Sequence, residues 1–160
     1  MKILFFNIPA HGHVNPTLPV VAELVRRGQH VIYYNSDWFR DAITATGAEF
    51  RAYPALTTTL GSEAAMNTAV AQGSVVVTLD LLTQATEALM PFAVEEIRRE
   101  KPDAVVHDSL CMWGNYAARV MDALTIGSFA IFALGHGGSI DPRSMLVELK
   151  HGAIPKLVRL

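Results

Sequence analysis

Short apolar runs alternate with helical patterns along most of the chain. Residues 2–7, 30–35 and 104–107 are runs of the kind that form strands covered on both faces of a sheet. Two more strands are predicted at 49–53 and at about 126–133. Because helical segments separate these strands, βαβ crossovers follow, and a parallel sheet with them. The predicted fold class is α/β, a doubly wound, Rossmann-like parallel sheet.

The helical patterns also predict where helices begin and end. Residues 16–27 carry apolar side chains at helical spacing, with Asn15 as the expected N-cap, Pro16 at the first helical position and Gly28 beyond the end. Pro19 removes one backbone bond, which predicts a distorted or later first turn. Further helices are predicted at 37–46, at about 76–100 with a kink at Pro91, and at about 111–122, while residues 54–73 are expected to be irregular.

Charge, cysteine count and apolar content disfavour several classes of protein. The 160 residues suit one domain, and 13 Lys and Arg against 15 Asp and Glu give a net charge of −2, which disfavours nucleic-acid binding. Cys111 has no second cysteine to pair with, which indicates a reducing, cytoplasmic setting. No run approaches the roughly 18 apolar residues of a membrane span. The 51% hydrophobic content is high for a soluble domain, so both sheet faces are covered or an apolar surface meets a partner.

The expected sheet topology brings three polar residues together. Open parallel sheets bind ligands beyond the carboxyl ends of their strands, where the strand order reverses. For the order 3-2-1-4-5, the reversal lies between the first and fourth strands, so loops 8–15 and 108–112 face one another. His11, His13 and Asp108 should therefore meet in one crevice.

The first of these loops is not built for a nucleotide phosphate. It contains Gly12 alone, whereas dinucleotide and P-loop sites need several glycines there, so NAD and ATP are disfavoured at this position. Two imidazoles opposite a carboxylate suit the removal of a proton from a hydroxyl. The alternatives are structural roles, namely a hydrogen bond formed by either histidine and capping of the next helix by Asp108.

Other reactive side chains have simpler explanations. His107 precedes Asp108 and points to the opposite sheet face, so a structural role is favoured. Cys111 lies near a helix start but is expected to be a buried, inert thiol. Met66, Met90 and Met112 are ordinary packing residues that could also line an adaptable apolar pocket.

Several motifs resemble a known enzyme family. The stretch 7–18 (NIPAHGHVNPTL), followed by Glu23-Leu24, Arg27-Gly28 and His30-Val31, resembles the amino-terminal signature of macrolide-type, UDP-sugar-dependent glycosyltransferases of the GT-B fold. The stretch 106–109 (VHDS) resembles the segment that carries this family's second catalytic residue. The likeness extends over about residues 1–135.

The resemblance implies an inverting transfer of a hexose, from a donor such as UDP-glucose, to a hydroxyl of a hydrophobic small molecule such as a macrolide or flavonoid. By position, His13 matches the catalytic base and Asp108 the carboxylate that supports it. His11 is assigned to lining the site, and the acceptor-binding residues expected are His11, Gly12, Met66, Met90 and Met112. No metal and no tightly bound cofactor are expected.

The family's donor-binding motif has no counterpart in the chain. Residues 136–139 (HGGS) look superficially like part of it, but they follow the fifth strand of the first domain and are expected to form a turn near the acceptor pocket. The chain is thus predicted to be an acceptor-binding domain, 1–135, with a pocket and tail segment, 136–160. The UDP-sugar would bind mainly to a carboxy-terminal domain supplied in cis or in trans, and the chain alone should turn over little or no substrate.

Two other functions remain open at the level of sequence. One is a non-catalytic module that binds an apolar ligand or a partner protein. The other is a nucleotide-sugar epimerase of the same architecture, against which the apolar segment 60–92 argues, since a purely polar substrate needs no such pocket.

Overall fold

A computed structural model describes residues 1–54 and 75–130, which form a parallel sheet flanked by helices. The strands are β1 (Lys2–Phe6), β2 (His30–Asn35), β3 (Glu49–Ala52), β4 (Ala104–Asp108) and β5 (Thr125–Ser128). The α-helices are α1 (His11–Val14), α2 (Leu18–Arg26), α3 (Arg40–Thr44), α4 (Val75–Glu100) and α5 (Met112–Val120), with 3-10 turns at Asn15–Thr17 and Asp37–Phe39.

The five strands pair in the order β3-β2-β1-β4-β5, and every pairing is parallel. This confirms the predicted fold class and strand order. Phe6 of β1 lies between Tyr34 of β2 and His107 of β4. The carboxyl ends of the two central strands are therefore adjacent, and the loops that follow them face each other at the reversal point.

Alternate side chains of the central strands point into two separate hydrophobic cores, one on each face of the sheet. One face, including Leu4, Phe6 and Tyr34, packs under α4 and α5. The other face, including Phe5 and Tyr33, packs under α2 and α3. Period-two alternation produces this division, because successive strand residues point to opposite faces. Burial on both faces explains why the strands read as uninterrupted apolar runs.

The first helix differs from its prediction. Helical structure begins at His11, with Ala10 as N-cap, so the prediction that Asn15 caps the helix and Pro16 opens it is wrong. The carbonyl of Ala10 already accepts hydrogen bonds from the backbones of His13 and Val14. Pro16 has no N–H to continue that ladder, so the chain passes through a 3-10 turn before α2 begins.

The other predicted strands and helices are present with shifted ends where the structure describes them, and the kink at Pro91 stays a prediction. α2 begins at Leu18, which places Pro19 in the first turn, where a missing N–H costs little; this is the later start that Pro19 predicted. α4 runs unbroken through Pro91, and the predicted helix 37–46 is a 3-10 turn followed by α3. β5 ends at Ser128. Some predictions lie outside the described residues. They are those for 55–73, 131–133, 136–139 and 136–160.

No helix within residues 1–54 and 75–130 is long and apolar enough to cross a membrane.

Candidate functional site

His13 owes its position to the helical turn that follows β1. α1 spans four residues, and residues two apart on a helix project in nearly opposite directions. His13 therefore faces β4, while His11 faces β2. The His13 side chain is only 13% exposed, so its ring is largely removed from bulk water.

The carboxylate of Asp108, the last residue of β4, contacts the imidazole of His13. Its Oδ2 lies 2.8 Å from Nδ1 of His13, and its side chain is fully buried. The second oxygen, Oδ1, accepts a 2.8 Å hydrogen bond from the backbone N–H of Leu110. Cys111, not Asp108, is the N-cap of α5, and no side chain caps that helix. Asp108 thus shapes the loop after β4 and holds the imidazole, rather than capping α5.

This contact fixes which nitrogen of His13 can act on a substrate. A carboxylate only accepts, so Nδ1 carries the proton of the shared hydrogen bond and Nε2 presents a lone pair. If Nε2 takes a proton, the imidazolium that forms lies against a buried negative charge, which stabilises it. The pair therefore has the geometry of a general base with its orienting carboxylate.

The His11 imidazole contacts two aromatic residues that follow β2. The His11 ring meets the Phe39 ring edge-on, with 4.9 Å between centroids, and its Nε2 accepts a 3.4 Å hydrogen bond from Trp38 Nε1. Gly12, between the histidines, is exposed, and a β-carbon there would meet no atom within 4 Å. His11 thus lies on the β2 side of α1.

The methionines predicted to line a pocket lie in different places. Met90 is half-buried on α4 and packs against the core on that face of the sheet. Met112 is half-buried at the first position of α5, four residues after Asp108. Met66 lies outside the described residues. The described contacts of Met90 are packing contacts, and the binding of an acceptor by any of these methionines remains a prediction.

The neighbours of Asp108 are structural, as predicted. His107 is buried, and its Nδ1 lies 3.0 Å from the backbone oxygen of Asp108. Cys111 is fully buried, and burial raises the pKa of its thiol well above the ordinary value. A thiol that stays protonated is a poor nucleophile, so Cys111 is inert in the folded chain. Among the described residues, no three His, Cys, Asp or Glu side chains cluster as a metal site requires.

Sequence analysis missed a buried polar group beneath α1. Asn7 directly follows β1, is fully buried, and its Nδ2 donates hydrogen bonds to the backbone oxygen of His13 at 3.0 Å and to the hydroxyl of Tyr33 at 2.7 Å. The only signal in the sequence was a polar amide that ends an apolar run, immediately before the loop with the two histidines.

Comparison with known proteins places the chain among glycosyltransferases. Oleandomycin glycosyltransferase of Streptomyces antibioticus is 38% identical over 123 residues, which cover 74% of this chain and 26% of that protein. NDP-glycosyltransferase YjiC of Bacillus subtilis (strain 168) is 26% identical over 148 residues, which cover 92% of this chain and 36% of that protein. The chain is homologous to the macrolide-type glycosyltransferases. No protein-family model matches it.

Solved structures extend the likeness to the fold of these glycosyltransferases. CalG4, the calicheamicin glycosyltransferase, superposes on 98% of the chain with a TM-score of 0.69 and 25% identity, over 40% of its own length. The fold matches part of the GT-B glycosyltransferase fold. The chain spans about a third or less of the length of the curated relatives it matches.

Proposed function

We propose that the chain is the acceptor-binding half of an inverting, UDP-sugar-dependent glycosyltransferase that transfers a hexose to a hydroxyl of a hydrophobic small molecule such as a macrolide or flavonoid. The observation that carries this proposal is the 2.8 Å contact between His13 Nδ1 and Asp108 Oδ2 at the reversal point of the sheet. The homology to macrolide-type glycosyltransferases supports the reaction class.

The proposed chemistry is a single displacement. His13 Nε2 takes the proton of the acceptor hydroxyl while that oxygen attacks the anomeric carbon of the sugar. The bond from the anomeric carbon to the phosphate oxygen breaks, its electron pair leaves with the nucleoside diphosphate, and the configuration at that carbon inverts. Asp108 stabilises the imidazolium formed in this step.

The acceptor would lie against His11, Gly12, Met66, Met90 and Met112. The mainly apolar character of this set suits a hydrophobic acceptor, because apolar pockets with a few polar groups are typical of small-molecule sites. The UDP-sugar would be held mainly by a donor-binding domain in cis or in trans. The chain by itself would then bind acceptor and transfer little or no sugar.

A two-part experiment tests this function. Calorimetric titration of the 160-residue chain with phenolic and macrolide acceptors should show binding, and titration with UDP-glucose should show little. In a protein completed with a donor-binding domain, His13→Ala should lower kcat by about two to four orders of magnitude.

His30→Ala is the matched control for His13→Ala. His30 lies at the opposite, amino end of the sheet, where it pairs with Glu49 at 2.9 Å. It should keep normal turnover. Full activity in the His13 variant would reject the base role, and acceptor binding with no turnover in the completed wild-type protein would identify a binding module. Tight UDP-glucose binding to the chain alone would reject the division between two domains.

A further inference from the structure

Two backbone carbonyls at the end of α1 accept hydrogen bonds from side chains. The oxygen of His13 accepts from Asn7 Nδ2 at 3.0 Å, and the oxygen of Val14 accepts from Thr17 Oγ1 at 2.7 Å. Pro16 has no N–H, so it cannot donate to the carbonyl of Gly12, as an α-helix would require, or to that of His13, as a 3-10 turn would require. The Asn7 side chain donates to the His13 carbonyl at the point where the chain passes from α1 into the 3-10 turn.

The side chains of Asn7 and Thr17 both form a hydrogen bond with one buried hydroxyl, that of Tyr33. Tyr33 OH accepts from Asn7 Nδ2 at 2.7 Å and lies 2.8 Å from Thr17 Oγ1. Since the Thr17 hydroxyl donates to Val14, the Tyr33 hydroxyl must be the donor in its contact with Thr17. Burial raises the pKa of Tyr33 well above its ordinary value, so it remains a neutral hydroxyl that can both accept and donate.

The orientation of the Asn7 amide follows from its neighbour. The His13 carbonyl can only accept, so the amide must turn its NH₂ group toward it. Asn7 Oδ1 is then buried without a hydrogen-bond partner among the described residues. An unpaired buried acceptor costs about 1–3 kcal/mol. Oδ1 of Asn7 thus lowers the stability of the fold, and the NH₂ group is the part of the side chain that forms hydrogen bonds.

We propose that Asn7 is a positioning residue for His13: through the His13 carbonyl and the Tyr33 hydroxyl it fixes α1 so that the imidazole stays in register with Asp108. Asn7 sits at the end of β1 and Asp108 at the end of the adjacent β4, so both contacts of His13 are set by one rigid sheet. The inference rests on the proposed function, because a fixed imidazole position matters for turnover only if His13 is the general base.

The test observes the ring directly, without turnover. In ¹⁵N spectra of the 160-residue chain, wild-type His13 should show a single Nδ1–H tautomer with a protected proton. Asn7→Leu, which removes both donors at similar volume, should mix the tautomers and speed exchange of that proton roughly 10-fold or more. Asn115→Leu makes the same substitution at a site on α5 whose side chain bonds only Arg119 in the described contacts, and it should change nothing.

A second variant keeps the proposal testable if Asn7→Leu does not fold. Tyr33→Phe removes only the hydroxyl that anchors Asn7 and Thr17, and it should loosen the ring in the same direction by a smaller factor. A folded Asn7→Leu protein with an unchanged His13 signal overturns the proposal. If that variant is unfolded, an unchanged signal in Tyr33→Phe overturns it.

Turnover supplies an independent readout in a protein completed with a donor-binding domain. Asn7→Leu should lower kcat by about 10- to 100-fold and leave the KM for acceptor unchanged, because misplacement of the base affects the chemical step. A raised KM with unchanged kcat would contradict the positioning role. Failure of the base role itself would appear separately, as full activity in His13→Ala, while the spectra of the Asn7 variant still report on the geometry.

Discussion

The hydroxyl of Tyr34 donates a 2.7 Å hydrogen bond to Oε2 of Glu96, a residue 62 positions further along the chain. Glu96 is buried under the sheet, and the same oxygen also meets Arg51 at 3.2 Å and Arg99 at 2.5 Å. Arg51 in turn contacts Glu100 at 2.6 Å. One carboxylate thus links β2, β3 and α4 at a point away from the candidate site.

Tyr34→Phe should lower the free energy of unfolding by about 1–2 kcal/mol, because a buried carboxylate loses a donor and nothing replaces it. Urea denaturation of the chain measures this as a lower midpoint with an unchanged slope. Tyr116→Phe is the control, since Tyr116 is exposed on α5. Equal midpoints for the two variants would show that the Tyr34 hydroxyl contributes nothing to stability.

Acid should destabilise the chain through Glu100. Arg51 and Lys2 lower the pKa of its carboxyl from 4.5 to about 2. A carboxyl with a lowered pKa in the folded state stabilises the fold above its unfolded pKa, and this contribution disappears as the pH falls from about 4.5 toward 2. Since solvent reaches Lys2 and screens the pair, the loss should be about 1–2 kcal/mol.

Urea midpoints measured from pH 7 down to pH 2.5 would show this loss. Glu100→Gln cannot titrate at this position, so it should be less stable than wild type at pH 7 and should lose less stability on acidification. The same acid slope in both proteins would assign acid sensitivity to other carboxyls.

Asp108→Asn should lower kcat by about 10³- to 10⁴-fold in a protein completed with a donor-binding domain. An amide can donate to Nδ1, which moves the imidazole proton to Nε2 and removes the lone pair that accepts the substrate proton. Circular dichroism should remain that of the wild type. Asp41→Asn, an exposed carboxylate on α3, is the control. Retention of normal kcat in the Asp108 variant would reject its orienting role.

Gly114→Ala should destabilise the chain by about 1–3 kcal/mol, although alanine favours helices more than glycine does. A β-carbon at Gly114 would lie 2.8 Å from Phe6 Cβ, so α5 would have to move away from β1. Gly12→Ala, which has open space in α1, should be neutral or stabilising by up to about 1 kcal/mol. Thermal or urea melts of both variants decide this, and a more stable Gly114 variant would contradict the predicted clash.

The sequence predicted the five strands from repeating local signals, and the strand order assumed for them, which the structure shows, placed the loops of His13 and Asp108 face to face. Apolar runs marked the strands, and parallel topology brought two strand ends together. It erred at Asn15, since a capping preference is weak beside the helical turn that already begins at His11. It grouped His11 with His13, because loop topology fixes which loops meet, while the direction of each side chain is seen only in the structure.

By itself the sequence determined the doubly wound sheet, since burial on both faces and strand-to-helix alternation leave few other arrangements. Its topology also brought His11, His13 and Asp108 to one end of the sheet, and the family resemblance selected His13 and Asp108 as the candidate base and its supporting carboxylate. Only the tertiary structure decided that His11 turns toward Trp38 and that Asn7 holds the carbonyl of His13. Both depend on the rotation of a single helical turn, which sets the directions of the side chains and carbonyls of α1. Such contacts join residues whose side-chain directions are fixed only when the packed core places them, so no local pattern encodes them.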